Sequence, residues 1–187
     1  MIMDAIEQAF RKIHRKDFVS DTLHNKVNID APLPIGFGQT NSQPSTVRMM
    51  LEWLGTKSGE KILDIGSGSG WTTALLSLIT GPNGRVFAVE RIPELVKVGR
   101  NNCSNIGIQN VKFFHVGKQL GLLEYSPYDR ILVSASAKKL PREILNQLKV
   151  GGKLVIPVQN DILEITKNAD SDYDIETHPG FVFVPLL

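Results

Sequence analysis

The stretch Ile62-Leu63-Asp64-Ile65-Gly66-Ser67-Gly68-Ser69-Gly70-Trp71 restricts the possible folds more than any other part of the chain. A short apolar run carrying one acid breaks into glycines at every second position. A helical stretch, Trp71 to Ile79, follows. That is a strand, a glycine loop and a helix in sequence, the context in which such a loop carries meaning. Glycine lets the backbone turn tightly and approach a ligand closely. The amides that open the next helix suit an anionic or polar ligand.

The rest of the chain repeats this alternation. Lys61–Ile65, Arg85–Val89, Val111–Val116, Tyr128–Ala135 and Lys153–Val158 read as strands. Trp71–Ile79, Pro93–Ile106 and Pro141–Leu148 read as helices between them. Strands alternating with helices predict an α/β fold: a Rossmann-like, doubly wound, mainly parallel sheet with helices on both faces. Ile162–Lys167 and Phe181–Leu186 follow without a helix between them and predict an antiparallel C-terminal edge. The polar segment joining them reads as an exposed connection. Before the glycine loop, Met3–Phe18 and Ser45–Leu54 have helical spacing. The basic run Arg11, Lys12, His14, Arg15 and Lys16 reads as a solvated face. Residues 30–44 hold Pro32, Pro34, Gly36, Gly38 and Pro44, a poor helix and a poor central strand.

At 187 residues the chain is expected to form one domain, residues 1–187. Residues 1–55 would supply N-terminal helices and a substrate and cofactor loop, and residues 56–187 the cofactor-binding sheet. Lys and Arg number 21 and Asp and Glu 19, so the net charge of +2 gives no electrostatic footprint for nucleic acid. No apolar run reaches membrane-spanning length, and the N-terminus lacks the apolar core of a signal peptide. The expectation is a soluble, cytoplasmic monomer with no nucleic-acid or membrane partner. The single cysteine, Cys103, allows no intrachain disulfide, and the four histidines show no metal-ligand spacing, so no metal is expected.

Three ligand classes compete for the loop. A P-loop needs Lys followed by Ser or Thr after its last glycine, and here Trp71-Thr72 follows. A dinucleotide fingerprint needs G-x-G-x-x-G/A, and the third position here is Trp71. The S-adenosyl-L-methionine loop of class I methyltransferases, acid-x-G-x-G-x-G, is matched by Asp64, Gly66, Gly68 and Gly70, with Ser67 inside it. Glu90 closes the next strand, where a carboxylate can accept from both ribose hydroxyls of a bound nucleoside.

Several blocks resemble the protein-L-isoaspartate O-methyltransferase family along nearly the whole chain. The most specific is Leu33-Pro34-Ile35-Gly36-Phe37-Gly38-Gln39-Thr40-Asn41-Ser42-Gln43-Pro44, similar to the family's GQTxSxP loop. Val89-Glu90-Arg91-Ile92-Pro93, Pro127-Tyr128-Asp129-Arg130-Ile131 and Leu148-Lys149-Val150-Gly151-Gly152 are similar to further family segments. So is Arg15-Lys16-Asp17-Phe18-Val19 near the N-terminus. The resemblance implies methyl transfer from S-adenosyl-L-methionine to the free α-carboxylate of L-isoaspartyl residues in damaged proteins and peptides. The ester then collapses to a succinimide that can reopen as aspartate. It also implies that Ser42 is the active-site hydroxyl. Gln39, Thr40 and Asn41 would lie beside the cofactor with Asp64, Gly66, Ser67, Gly68, Gly70, Glu90, Gly117 and Lys118. The alternative role for Ser42 is to cap the helix beginning near Ser45.

The chain departs from the family pattern at three places. Gly117-Lys118 stands where the family has Gly-Asp-Gly, whose acid contacts the adenine, and an ammonium cannot accept a hydrogen bond. Asn28-Ile29-Asp30 precedes the proline loop where the family often has a Tyr. Ser134-Ala135-Ser136-Ala137-Lys138 replaces a Thr-Ala-Ala-Ala-Pro run. The competing functional classes are a relative that has become a binding module and a methyltransferase with another small-molecule acceptor.

Overall fold

The computed structural model of the chain describes residues 4–186. Helix α1 (Ala5–Lys12) is started by Asp4, whose Oδ1 accepts from the Ile6 amide. It ends where Ile13 and His14 turn extended, and Arg15–Phe18 forms a separate 3-10 turn. The expected single helix from Met3 to Phe18 is therefore shorter, and Met3 lies outside the described residues. The break lets Arg15 point inward instead of along a solvated helix face. It is only 6% exposed, against the reading of the basic run as surface.

Residues 33–41 form a small hairpin of strands β1 (Leu33–Gly36) and β2 (Gln39–Asn41). Its turn is Phe37-Gly38, both at positive φ (55° and 70°), the type I′ geometry that matches the twist of paired strands. Helix α2 (Pro44–Leu54) follows with proline in its first turn and no side-chain cap of its own. Asp30 supplies the cap from a distance: Oδ1 accepts from the Ser45 amide and Oδ2 from Gln43 Nε2. The capping role weighed for Ser42 thus falls to Asp30.

The main body is β3 (Lys61–Ile65), α3 (Trp71–Thr80), β4 (Arg85–Glu90), α4 (Pro93–Asn105), β5 (Val111–His115), β6 (Tyr128–Val133), α5 (Arg142–Leu145), β7 (Leu148–Val158), β8 (Asp161–Ala169) and β9 (Asp172–Pro179). The seven-stranded sheet has the order β5-β4-β3-β6-β7-β8-β9. β5, β4, β3, β6 and β7 run parallel, and β8 and β9 add an antiparallel edge. Helices cover both faces, as the alternating pattern predicts. Along β3, Ile62 joins a core with α1, α2 and α3, while Leu63 and Ile65 join the opposite core with α5. Each such fully buried aliphatic side chain contributes about 1.5–3 kcal/mol.

The edge is where the structure departs from the pattern. The last strand is the polar Asp172–Pro179, not the apolar Phe181–Leu186. An outermost strand needs only the backbone ladder, and β8 provides it in register. The apolar tail instead folds back over the sheet. Ser136 donates to the Val184 carbonyl at 2.8 Å and accepts from the Leu186 amide at 2.8 Å.

The β3 switch point holds the glycine loop, between neighbours reached in opposite directions, where ligands bind in open α/β sheets. Gly70 (φ +91°) lets the loop lie against α4: a Cβ there would come within 3.0 Å of the Gly99 backbone and 3.3 Å of Cys103 Sγ. Gly70→Ala should therefore lower stability by about 1–3 kcal/mol, from backbone strain and overpacking. Urea unfolding of the two proteins checks this.

Candidate functional site

Cavity and loop geometry come directly from the chain's backbone bonding. The Gly66 and Ser67 amides both donate to the Val89 carbonyl (2.9 and 3.2 Å), which ties the glycine loop to the tip of β4. Glu90 completes the clamp. Its Oε2 accepts from the Gly68 amide at 2.9 Å, and its Oε1 accepts from the amides of Arg91 (2.7 Å) and Ile92 (3.0 Å). Three of roughly four lone-pair directions are used, so one remains for a ligand hydroxyl without disturbing the loop. Binding two hydroxyls at once would displace one of these amides.

Above the loop lies a cavity of about 270 Å³. Its walls come from distant parts of the sequence. The hairpin and its exit contribute Gln39, Thr40, Asn41 and Ser42, and the glycine loop contributes Gly66, Ser67 and Gly68. Glu90 and Gly117 come from the ends of β4 and β5. Nine of the expected site residues thus share one cavity. Asp64, Gly70 and Lys118 do not line it. Asp64 is wholly buried beneath the loop, Gly70 faces α4, and Lys118 is exposed and off the wall beside Gly117.

The cavity has polar groups suited to a ligand. Ser67 Oγ and Trp71 Nε1 are buried on its wall with no hydrogen-bond partner within the described residues. Ser42 Oγ likewise lines the wall, and its hydroxyl makes no hydrogen bond among the described residues. Buried polar groups are ordinarily paired, so Ser67 Oγ and Trp71 Nε1 fit a ligand with both donors and acceptors.

Asp64 carries an electrostatic cost. Thr73 Oγ1 donates to its Oδ2 at 2.5 Å, pinning the first turn of α3 to β3, while Oδ1 has no partner. Burial, with a smaller contribution from Glu90, pushes its carboxyl up to about 7. Cys103 is 2% exposed and pushed up to about 12 by burial, so it is inert near neutral pH. Asp129 accepts from the Lys61 amide and Lys149 Nζ and fixes the start of β6.

Several wall residues lay outside the sequence reading. Phe37, Trp71, Gln119 and the Val184–Leu186 tail all reach the cavity. Only Trp71 carried a signal, as the residue just after the glycine loop. The tail arrives through its bonds to Ser136 and the packing of Phe183 and Leu186 against the cores. Elsewhere the sheet assembles a cluster that sequence spacing hid: Glu164, Glu176 and His178 lie within 4.8 Å of one another. Glu164 and Glu176 are directly opposed across β8 and β9. Lys153 Nζ pairs with Glu164, His178 Nε2 lies 3.4 Å from Glu164 Oε2, and Trp53 stacks on His178 at 3.8 Å, so two of the three groups already have partners within the protein.

The fold and this loop, clamped by an acid at the next strand tip beside a shared cavity, define a class I S-adenosyl-L-methionine-dependent methyltransferase. The sequence model of the protein-L-isoaspartate(D-aspartate) O-methyltransferase (PCMT) family matches residues 1–187, and the chain belongs to that family. A protein-L-isoaspartate O-methyltransferase of Pyrococcus horikoshii is 41% identical over 189 residues, covering 98% of this chain and 85% of the relative. One of Fervidobacterium nodosum is 43% identical over 162 residues, covering 87% of this chain and 81% of the relative. A solved protein-L-isoaspartate O-methyltransferase superposes with a TM-score of 0.90 at 28% identity over 99% of this chain, which spans 62% of that protein. A Plasmodium falciparum structure, described as a candidate enzyme of this kind, holds S-adenosyl-L-homocysteine. It superposes with a TM-score of 0.87 at 26% identity, covering all of this chain and 92% of that protein. Among the described residues no helix is long and apolar enough to cross a membrane.

The Asp64 shift gives a pH dependence of folding. A carboxyl with a raised folded pKa favours folding while protonated, and that contribution is lost as pH rises through the folded value. Stability should fall between about pH 4 and about 7, by up to about 1.4 kcal/mol per pH unit. Asp64→Asn, which keeps an acceptor for Thr73, should flatten this slope. Unfolding midpoints measured across the range check it.

Proposed function

We propose that this protein, acting as a single domain, transfers a methyl group from S-adenosyl-L-methionine to the α-carboxylate of L-isoaspartyl residues in proteins and peptides. The observation that carries this is one cavity lined by both the Ser42 loop and the glycine loop with Glu90. Family membership supplies the acceptor. When bound, S-adenosyl-L-methionine supplies a methyl group on an electron-poor sulfur, transferable to an ionised carboxylate.

The remaining work falls to this chain's residues. An α-carboxylate is already ionised at neutral pH and needs no general base. This agrees with a cavity lacking a catalytic His or Cys. The chain has to hold two partners in line and exclude water, which is where most of the rate enhancement of such a reaction arises. Glu90, with its remaining acceptor direction, would hold the ribose, and Gly66, Ser67 and Gly68 would form the floor beneath the cofactor. The free Ser42 hydroxyl donates to the substrate carboxylate. Gln39, Thr40 and Asn41 form the wall between the two partners. The acid missing at Lys118 is offset by Gln119, whose side-chain amide on the cavity wall can both donate and accept.

The direct test is methyl transfer to an isoaspartyl peptide beside its aspartyl twin. Only the isoaspartyl form should be methylated; equal rates would exclude this substrate class. Glu90→Gln should weaken S-adenosyl-L-methionine binding about ten- to a hundredfold, since hydrogen bonds to charged groups are worth about 1.5–3 kcal/mol. Calorimetry reads that change. Ser42→Ala should reduce kcat about ten- to a hundredfold while cofactor affinity stays near that of the unaltered protein.

A further inference from the structure

We propose that Arg15 is the positioning residue that sets the Ser42 loop against the cofactor loop. The inference rests on the reading of Ser42 as the substrate-side hydroxyl. It is motivated by the density of bonds around one buried cation. Arg15 Nε donates to Asn41 Oδ1 at 2.8 Å. Nη2 donates to the carbonyls of Ala31 (2.7 Å), Ser42 (2.9 Å) and Asn41 (3.2 Å). Nη1 donates to the carbonyls of Ile29 (3.1 Å) and Val27 (3.4 Å).

All six acceptors are neutral; among the described residues no carboxylate lies within ion-pair distance of Arg15, and Asp30 acts on it only as a nearby charge. A buried cation without a paired charge is costly unless its donors are satisfied. Here the planar guanidinium fork satisfies them on two chain segments at once, residues 27–31 and 41–42. Four of the acceptors bracket the loop: one carbonyl before the hairpin, and Asn41 and Ser42 at its exit. The Ser42 backbone, from which the free hydroxyl projects, is thus held through its own carbonyl.

Arg15 also reaches the cofactor side. The Asn41 amide it orients donates to Ser69 Oγ of the glycine loop at 3.4 Å. The guanidinium lies 5.4 Å from the centre of the Trp71 ring, at the start of α3. It therefore touches the substrate side and the cofactor side together without lining the cavity itself. A lysine presents three donors from one point and cannot reproduce this fork. Loss of the fork should misplace Ser42 while the glycine loop, held by Val89 and Glu90, keeps its shape.

The test compares kcat with isoaspartyl peptide, cofactor affinity and folding for Arg15→Ala, Arg15→Lys and Ser42→Ala. Both Arg15 variants should lose about tenfold or more in kcat, the scale expected for a misplaced group, with S-adenosyl-L-methionine affinity nearly unchanged. Added guanidinium at millimolar concentration, far below denaturing levels, should restore part of the Arg15→Ala rate, and matched sodium chloride should not. Arg15→Lys keeps the charge and most of the packing, and so covers the case in which Arg15→Ala fails to fold. Unchanged kcat in folded Arg15→Lys overturns the inference, as does an equal loss of cofactor affinity and turnover. Ser42→Ala with full turnover would overturn instead the reading of Ser42 on which it rests.

Discussion

The site depends on one clamp: the tip of β4 holding the glycine loop at the end of β3. The Val89 carbonyl takes two loop amides and the Glu90 carboxylate takes a third. Without side chains on its glycines, the loop has little packing of its own beyond the contact of Gly70 with α4. Its shape is imposed by hydrogen bonds from the neighbouring strand. That neighbour is parallel and in register, Ile65 opposite Val89, so the sheet fixes the loop before any ligand arrives. A preformed loop avoids the ordering cost that a flexible one would incur on binding.

The clamp brings acids close together, and the structure bears a cost for it. Asp64 lies buried beneath the loop with one oxygen unpaired, near the buried Glu90. Burial works against its charged form. What it provides in return is a short bond to Thr73, which ties the first turn of α3 to the end of β3. Glu90 sits differently: three backbone amides compensate its charge. Two carboxyls near one loop thus sit differently, one fixing the helix and one lining the cavity.

The substrate side is held by other means. The hairpin of β1 and β2 belongs to no larger sheet, and only two short strands support it. Such a hairpin is marginal alone. Asp30 anchors α2 behind it and Arg15 gathers its exit, so two buried or bridging polar groups replace the missing strands. Beyond the tip of β5, Lys118 stands off the cavity and Gln119 lines it instead.

The sequence by itself determined the alternation of strands and helices and the place of the glycine loop within it. Strand and helix periods are local, and the glycine loop has few alternatives between Lys61–Ile65 and α3. It also marked Ser42, Glu90 and the glycines as candidates, because these residues are adjacent in short blocks. Only the tertiary structure decided which of them share a cavity. Asp64 and Gly70 stand in the motif yet turn away from the cavity, one under the strand end and the other toward Gly99. Arg15 read as solvated because its neighbours are charged, and burial depends on contacts with residues as distant as Ser42. The exchange of the last strand has the same cause. Asp172–Pro179 is polar and forms a strand through backbone pairing with β8, whereas the apolar Phe181–Leu186 packs back over the core. Side-chain patterning reports which face a segment can bury; it does not report which partner the folded chain brings to it.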